Sequence, residues 1–228
     1  MCLRLLVCNF VGIFFKKMKI ANKRVIDISG WDRKEHYAFF GNMPDPFFGL
    51  TAKVDFTDCY RKAKADGKSF FLYSLHAILK VLNSIPEFRY RIEDGNVIQY
   101  DYIGASPTIA REDGSFGFAY FDWDEDLDRF VDAATAEIAR VKGGFGLSIN
   151  ENEGRNDIIY FTSIPWVDFS DIKHAGGHRP GDSIPEVAVG KLHEENGRMV
   201  MSVSIEVNHG LADGRHIGLF VDTLPSVF

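Results

Sequence analysis

The sequence predicts an α+β protein, a two-layer α/β sandwich in which helices cover a mixed, mostly antiparallel sheet. Helix-like and strand-like segments both occur in runs, and hairpins predominate among the strands. No internal repeat, low-complexity tract or linker divides the chain. With 228 residues, 46% of them hydrophobic, the chain can form one large domain with a substantial core.

The N-terminal elements alternate between strand and helix. Residues 24–29 form a short predicted strand, and residues 32–40 a helix with acidic and polar residues in its first turn. Residues 48–57 alternate and are rich in β-formers, which predicts a strand. Thr57 and Asp58 are predicted to cap the helix that follows.

The middle of the chain predicts a buried helix, a hairpin and an amphipathic helix. Residues 69–85 are apolar nearly all round at helical spacing, which is typical of a buried helix. Residues 87–104 contain two strands with an Asp-Gly turn signal. A strand near residues 114–121 precedes an amphipathic helix over 124–141.

The C-terminal third ends in a hairpin and a helix. Residues 157–166 are a predicted strand, and a loop rich in glycine and histidine follows over 173–185. Residues 187–209 form a hairpin that turns at an Asn-Gly pair. Residues 215–224 are the predicted final helix.

Composition limits the partners and the compartment. The net charge is −6 and no Lys/Arg stripe occurs, which argues against nucleic acid. The three cysteines, Cys2, Cys8 and Cys59, have no metal-ligand spacing and cannot form a paired framework. We therefore expect a reducing, cytoplasmic location.

The N-terminus carries a short apolar stretch. Residues 5–15 are too few to span a bilayer, and no small-residue cleavage site follows them, so we expect no membrane attachment. Met18 opens the segment MKIANKRVIDIS, which is more typical of the start of a protein. We expect residues 1–17 to be a non-native or disordered extension and residues 18–228 to be a single domain.

His209 is the candidate catalytic residue. It follows a strand in which Met201, Val203, Ile205 and Val207 share one face, and it falls in register with that apolar set. An inward histidine of this kind is most often a hydrogen-bonded core residue. The segment NHGLADG nevertheless favours a base, because Gly210 allows a sharp turn or the close approach of a ligand, and Asp213 stands at a helix N-terminus. A neutral imidazole, with an ordinary pKa of about 6.5, suits general base catalysis near pH 7.

Four segments together resemble one family. The HxxxDG motif within EVNHGLADGRHIGLF (206–220) resembles the signature of the chloramphenicol acetyltransferases and their relatives, the acyltransferase cores of dihydrolipoamide transferases. SGWDRKEHYAFF (29–40) is similar to the family's opening WxRxEHF, and residues 85–101 to its PEFRMAIxDGE segment. TSIPWVDF (162–169) resembles SALPWVNF. Since the motifs keep their order, the chain is identified as a member of that family.

The resemblance implies roles for individual residues. His209 matches the catalytic base, and Thr162 matches a serine placed near the tetrahedral intermediate. Asp213 and Arg33 match a charge pair that supports the histidine segment. It also implies acetyl-CoA as cosubstrate, direct transfer to an acceptor hydroxyl, and a homotrimer whose active sites lie between subunits. The matched positions along the coenzyme A route are Trp166 and Lys191.

The acceptor positions depart from the family's pattern. Phe48 and Phe116 match aromatic positions that face chloramphenicol, while Phe40 replaces a tyrosine. Apolar pocket positions are matched by Ile172, His174, Gly176 and Glu186. A pocket with His, Gly and Glu is a poor copy of one built for an aromatic antibiotic, so the acceptor stays open between chloramphenicol and another small hydroxylated compound. His174 and His178 are spaced by four but lie in a glycine-rich segment, and we expect no metal site.

Two functions other than acetyl transfer are disfavoured by the sequence. A catalytically inactive trimeric ligand-binding homologue is disfavoured because His209, Asp213, Arg33 and Thr162 are all retained. The acyltransferase core of a lipoamide complex is disfavoured because the chain has no lipoyl or linker segment.

Overall fold

The computed structural model describes residues 20–41, 43–175 and 181–227. The predicted extension over residues 1–17 lies outside them. The described residues form five α-helices and ten strands. The helices are α1 (Lys34–Phe40), α2 (Thr57–Ala65), α3 (Phe70–Ser84), α4 (Leu127–Lys142) and α5 (Gly214–Thr223). The strands are β1 (Lys23–Val25), β2 (Phe47–Asp55), β3 (Tyr90–Glu93), β4 (Asn96–Tyr100), β5 (Gly104–Ala110), β6 (Phe116–Phe118), β7 (Ile158–Ser163), β8 (Glu186–Val189), β9 (His193–Glu195) and β10 (Arg198–Asn208).

The main sheet has seven strands in the order β2-β10-β8-β7-β5-β6, with β9 beside β10. Strand β7 runs parallel to both β8 and β5, and the other pairs are antiparallel. The predicted α+β class with a mixed, mostly antiparallel sheet is confirmed. Strand β5 was not predicted, because Pro107 in its middle lacks the amide that a strand interior normally supplies.

A separate sheet of three strands in the order β1-β4-β3 was also not predicted. Its β3–β4 turn is confirmed: Asp94 and Gly95 have φ of 49° and 77°, as the favoured two-residue hairpin turn requires. The predicted strand over residues 24–29 is wrong in its second half. The chain leaves β1 after Val25 and forms a 3-10 turn over Ile28–Gly30, which the Asp27 carboxylate caps.

Strand β10 lies between β2 and β8, and both of its faces are buried. Its apolar face packs in the core with α3, which is buried along most of its length as predicted. Its opposite face carries Ser202, Ser204 and Asn208, each no more than 2% exposed. The segment after β7 covers part of that face, where the Ser202 hydroxyl donates to the Asp168 carboxylate at 2.8 Å. We call the core side of the main sheet the inner face and the opposite side the outer face.

The predicted cap of α2 is wrong. Thr57 is the first residue of the helix and Phe56 holds the N-cap position, where no side chain caps it. The carboxylate of Asp55, one residue earlier, instead accepts the Thr57 amide at 2.9 Å and its hydroxyl at 2.6 Å. The carboxylate of Asp55, at the end of the preceding strand, thus replaces the cap that Thr57 and Asp58 were expected to supply.

A buried arginine joins the small sheet to the main one. The Arg91 guanidinium is fully buried and donates to the carbonyls of Phe88 and Tyr90 at 2.9 and 2.7 Å. It also donates to the carbonyls of Asn156 and Ile158, at the start of β7, at 2.7 and 2.6 Å. Burial lowers the pKa of Arg91 to about 10, so the group remains charged at neutral pH.

We expect Arg91→Met to lower the free energy of unfolding by about 3 to 5 kcal/mol, because four buried carbonyls lose their donor. The matched control is Arg129→Met, since Arg129 makes exposed ion pairs with Asp124 and Asp126, and their loss should change stability little. Denaturant unfolding of both variants measures the difference. Equal stability of the two variants would contradict the role given to Arg91.

Candidate active site

His209 lies one residue beyond the end of β10, on the inner face of the sheet. Its backbone amide donates to the Pro46 carbonyl at 2.8 Å. Its ring is half-buried between two aromatic rings: the centroids of Phe40 and Phe48 lie 4.0 and 4.2 Å from its own. Two residues predicted to face the acceptor therefore also fix the plane of the imidazole.

The tautomer of His209 follows from one contact. Its Nδ1 lies 3.3 Å from the carbonyl oxygen of Ala212. A carbonyl next to a ring nitrogen favours the tautomer with the proton on that nitrogen. We therefore assign the proton of the neutral ring to Nδ1, which makes Nε2 the basic nitrogen.

The structure brings Arg33 and Asp213 together beside the histidine. Arg33 Nη1 lies 2.6 Å from Asp213 Oδ2, and Arg33 Nη2 donates to the His209 carbonyl at 3.2 Å. Asp213 is also the N-cap of α5: its carboxylate accepts the Arg215 amide at 3.0 Å, and the His216 ring accepts the Asp213 amide at 3.0 Å. One ion pair thus joins α1, the histidine segment and α5.

The pKa of Asp213 reflects that pair. Burial acts to raise it, but the hydrogen bond from Arg33 and the charge of His216 outweigh burial, so the pKa lies below its ordinary value. Arg33 is only 7% exposed, so without the carboxylate its charge would be buried unpaired.

Asn208 and Gly210 shape the turn on either side of His209. The Asn208 side chain accepts the Gly210 amide at 2.9 Å and donates to the Asp182 carbonyl at 2.8 Å. A Cβ at residue 210 would lie 3.1 Å from Asn208 Oδ1 and 3.3 Å from the Cα of Tyr37. A side chain at residue 210 would thus be crowded, and the groups that approach it are the Asn208 side chain and the backbone of α1.

Thr162 lies on the outer face of the sheet, in a pocket of about 400 Å³. It stands opposite Ala188, and Tyr160 stands opposite Glu186 in the same β7–β8 ladder. The pocket is lined by the polar residues Ser106, Tyr120, Arg155, Tyr160, Thr162, His174 and Glu186, among others, and by apolar residues that include Phe118, Ile149 and Ile158.

Two predicted acceptor residues meet in this pocket. Nδ1 of His174 lies 3.2 Å from Oε2 of Glu186, with side chains 12% and 14% exposed. The Nε2 atom of His174 is buried and has no hydrogen-bond partner among the residues that the structure describes.

His209 and Thr162 do not meet within one chain. Ala188 pairs with both Thr162 and Ser204, so Thr162 is two strands away from β10. Two strand spacings of about 4.8 Å and five residues at about 3.3 Å each separate the two Cα atoms by roughly 19 Å. The two side chains also project from opposite faces of the sheet.

Comparison with known proteins identifies the family. A model of the chloramphenicol acetyltransferase family matches residues 21–225. The chain belongs to the chloramphenicol acetyltransferase family. The predicted family is confirmed, and so is the predicted class of enzyme, because it is a family of acetyltransferases.

Individual relatives agree with this assignment. A solved structure of a chloramphenicol acetyltransferase is 34% identical, has a TM-score of 0.84, and covers 90% of this chain and 98% of its own. The chloramphenicol acetyltransferase of Proteus mirabilis is 25% identical over 88% of this chain and 92% of its own length. A probable dihydrolipoamide acetyltransferase of Listeria monocytogenes, at 14% identity and a TM-score of 0.61, shares the fold alone.

The remaining predicted site residues do not line the Thr162 pocket. Phe116 is 47% exposed on β6 and packs edge-on against Phe118 at 5.8 Å between centroids. Ile172 is half-buried in the segment between β7 and β8. Trp166, 76% exposed, and Lys191 come close together because the Lys191 amide donates to the Val167 carbonyl at 2.9 Å. Gly176 and His178 fall outside the described residues.

Several residues that line the Thr162 pocket were not predicted from the sequence. Tyr160 shares a strand and a face with Thr162, so simple alternation could have found it. Ser106 lies on β5, opposite Tyr160, and could not be placed because that strand was not recognised. Arg155 and Tyr120 lie outside the strands and reach the pocket only through the tertiary fold.

Residues 20–41, 43–175 and 181–227 contain neither a metal-binding cluster nor a membrane-spanning helix. No three His, Cys, Asp or Glu side chains in these ranges come together in a way that could hold a metal ion. None of their helices combines the length and the apolar character needed to cross a bilayer.

We expect Asp213→Asn to destabilise the protein and to do so in a pH-dependent way. The folded pKa of Asp213 lies below the unfolded value of about 3.9. The stabilisation by the charged form is therefore complete above that pH and is lost as the pH falls through the folded pKa. Unfolding free energies measured from pH 7 down to pH 3 should show the gap between the two proteins narrowing below about pH 4. A gap that stays constant would contradict the ion pair.

Proposed function

We propose that the protein is an acetyl-CoA-dependent O-acetyltransferase in which His209 acts as general base. Residues 18–228 act as one acetyltransferase domain in this proposal. The observation that carries it is the setting of His209: two aromatic rings fix the imidazole, and the Ala212 carbonyl leaves Nε2 as the basic nitrogen.

The proposed reaction is a direct transfer. Nε2 of His209 removes the proton from an acceptor hydroxyl, and the oxygen attacks the carbonyl carbon of the acetyl thioester. The Thr162 hydroxyl donates to the oxyanion of the tetrahedral intermediate, a contribution on the order of 3 kcal/mol. The intermediate collapses, the carbon–sulfur bond breaks, and the His209 imidazolium returns its proton to the leaving thiolate.

A covalent acyl-enzyme is not required. Cys59 is the cysteine within the described residues, and burial raises the pKa of its thiol to about 12. A thiol with that pKa is not ionised near neutral pH and is a poor nucleophile. This supports direct transfer from acetyl-CoA to the acceptor.

The geometry of one chain supports a homotrimer with active sites between subunits. Thr162 and His209 project from opposite faces of the same sheet and are on the order of 19 Å apart. The His209 of one subunit must therefore face the Thr162 pocket of its neighbour for both to act on one substrate. A cyclic arrangement of head-to-tail contacts produces this pairing at each interface.

The coenzyme A route is proposed along Trp166 and Lys191. Both side chains are exposed and their segments are joined by a backbone hydrogen bond. An exposed aromatic face and an ammonium group suit the adenine and phosphate groups of the coenzyme.

The acceptor is a small hydroxylated compound, and chloramphenicol, on which the relatives are named to act, is the first candidate. A cytoplasmic location is also part of this proposal, because three cysteines without a paired framework suit a reducing compartment.

We expect His209→Ala to lower kcat/KM by about 10³- to 10⁴-fold, because the acceptor hydroxyl loses its base. Thr162→Ala should lower kcat by about 10²-fold or more, and Thr162→Ser should keep most of it, since only the donor hydroxyl matters. The assay is thiol release from acetyl-CoA with chloramphenicol and a panel of hydroxylated acceptors. Turnover of no acceptor by the wild-type protein would instead favour an inactive ligand-binding homologue.

Mixed oligomers test where the site is assembled. Co-expression of the His209→Ala and Thr162→Ala chains should restore about a quarter of wild-type activity, because random assembly unites one intact residue of each kind at that fraction of interfaces. Each variant expressed alone is the control. Activity no higher than the sum of the two controls would mean that no site spans two subunits.

A further inference from the structure

A second histidine contacts the segment that holds His209, and the proposed reaction does not use it. Nδ1 of His209 lies 3.3 Å from the carbonyl oxygen of Ala212. The backbone amide of Asp213 donates to Nδ1 of His216 at 3.0 Å. This carbonyl and this amide belong to the same peptide group, which joins Ala212 to Asp213. One peptide plane therefore lies between the rings of His209 and His216.

The tautomer of His216 follows from its contact with that plane. A backbone amide carries a hydrogen that it can only donate, so the ring nitrogen that it faces must be the acceptor. The neutral ring then has its proton on Nε2. That atom lies 3.7 Å from Oε1 of Glu87, and a carboxylate on this side of the ring favours the same tautomer.

One contact of His216 favours the opposite tautomer. Oδ1 of Asp213 lies 2.9 Å from Nδ1 of His216, where it would accept a proton carried by that nitrogen. Such a proton would collide with the Asp213 amide hydrogen, which points at the same nitrogen. The carboxylate also has two other donors, the Arg33 guanidinium and the Arg215 amide. We therefore assign the proton of the neutral His216 ring to Nε2.

The peptide group transmits the contact to His209. Because the group is planar, rotation of the plane would move its carbonyl oxygen and its amide together. His216 opposes this rotation at the amide and thereby keeps the carbonyl oxygen beside Nδ1 of His209. A peptide whose amide is hydrogen-bonded is also a stronger acceptor at its carbonyl, since consecutive hydrogen bonds polarise one another.

His216 has a second role, in the capping of α5. It completes a capping box with Asp213, a position at which Glu or Gln is usual. Ala212 is 1% exposed and the His216 side chain 16%, so little water is available to replace these hydrogen bonds. A test of positioning must therefore separate the state of the His209 ring from the stability of the helix.

We propose that His216 is a positioning residue for His209: through the peptide group between Ala212 and Asp213, it keeps the proton of the neutral His209 ring on Nδ1 and leaves Nε2 as the basic nitrogen. The kinetic consequence rests on the proposed acetyl transfer. The tautomer of His209 can be measured without turnover.

The first measurement is nitrogen NMR of the histidine rings in the full chain at about pH 8, above the ordinary histidine pKa of about 6.5. His209→Ala and His216→Asn identify the signals of the two rings. In the wild-type protein we expect the proton on Nδ1 of His209 and on Nε2 of His216. A neutral His216 ring with its proton on Nδ1 would overturn the proposal without any further variant.

Two substitutions of His216 then separate the hydrogen bond from the side chain. His216→Leu removes the acceptor, and the His209 signals should show a substantial fraction of the ring protonated on Nε2. His216→Asn should keep the wild-type tautomer of His209, because its Oδ1 is as many bonds from the backbone as Nδ1 and can accept the same amide.

Kinetics give the second readout, with acetyl-CoA and chloramphenicol, or the hydroxylated acceptor that the wild-type protein turns over fastest. His216→Leu should lower kcat by about fivefold to tenfold, because part of the protein then holds the wrong tautomer of its base. The KM values should change little, since the substitution removes no contact to either substrate. His216→Asn should stay within about twofold of the wild-type kcat.

The matched control is Leu219→Gly. Leu219 is 52% exposed inside α5, and glycine there should weaken the helix about as much as the loss of a cap does. This variant should keep the wild-type kcat and the wild-type tautomer of His209.

Two outcomes would overturn the role of His216 and leave the acetyltransferase proposal intact. One is a His209 ring that keeps its proton on Nδ1 in His216→Leu, and the other is an equal change of tautomer in Leu219→Gly. The expected change of tautomer in His216→Leu, together with no thiol release by the wild-type protein with any acceptor, would support the positioning contact and overturn the acetyl transfer.

Discussion

The alternation of side chains along a strand is the constraint on which the candidate site depends. In β10 and its neighbours, one set of residues faces the helices and the other faces the outer surface. His209 continues the inner set and packs on Phe48, whereas Thr162 belongs to the outer set with Glu186. A single copy of the sheet cannot present both residues to one substrate. In the proposed reaction, the two residues would therefore belong to different copies of the chain.

The inner side of this arrangement is stabilised by charge, not only by packing. Arg33 reaches from the start of α1 to the carboxylate of Asp213 and the carbonyl of His209. Both acceptors belong to the short segment between β10 and α5, so one guanidinium restrains the residues on either side of the turn. Asn208 restrains the same turn from the strand side through the Gly210 amide. The position of His209 is thus determined by backbone contacts, and its ring plane by two phenylalanines.

Local rules predicted the parts of the fold that local interactions decide. The Asp-Gly and Asn-Gly turns form as expected, with positive φ at Asn196 and Gly197 as at the β3–β4 turn. The alternation in β10 and the capping role of Asp213 also follow from neighbouring residues. Strand β5 was missed because Pro107 breaks a local rule that its parallel pairing with β7 overrides. The burial of the polar face of β10 depends on the segment after β7, which lies far away in sequence.

In the candidate site, too, some features follow from local motifs and others from long-range contacts. The family motifs predicted the ion pair of Arg33 and Asp213, which the structure brings together. His174 and Glu186 were predicted as separate departures from an apolar pocket, and no local pattern could join them. Their contact depends on how the segment after β7 folds back onto the ladder of β7 and β8. The contact between His174 and Glu186 therefore depends on long-range register, which composition alone does not reveal.

The buried pair also has an energetic consequence. An imidazole nitrogen that is desolvated without a partner destabilises the folded chain, and so does a carboxylate removed from water. Departures from local and packing rules of this kind occur mainly where function requires them. A hydrophobic pair of similar volume at residues 174 and 186 would relieve both costs and would resemble the apolar lining expected for an aromatic antibiotic. Retaining a histidine and a glutamate at these positions keeps the wall of the Thr162 pocket polar, where the family's pattern has apolar residues.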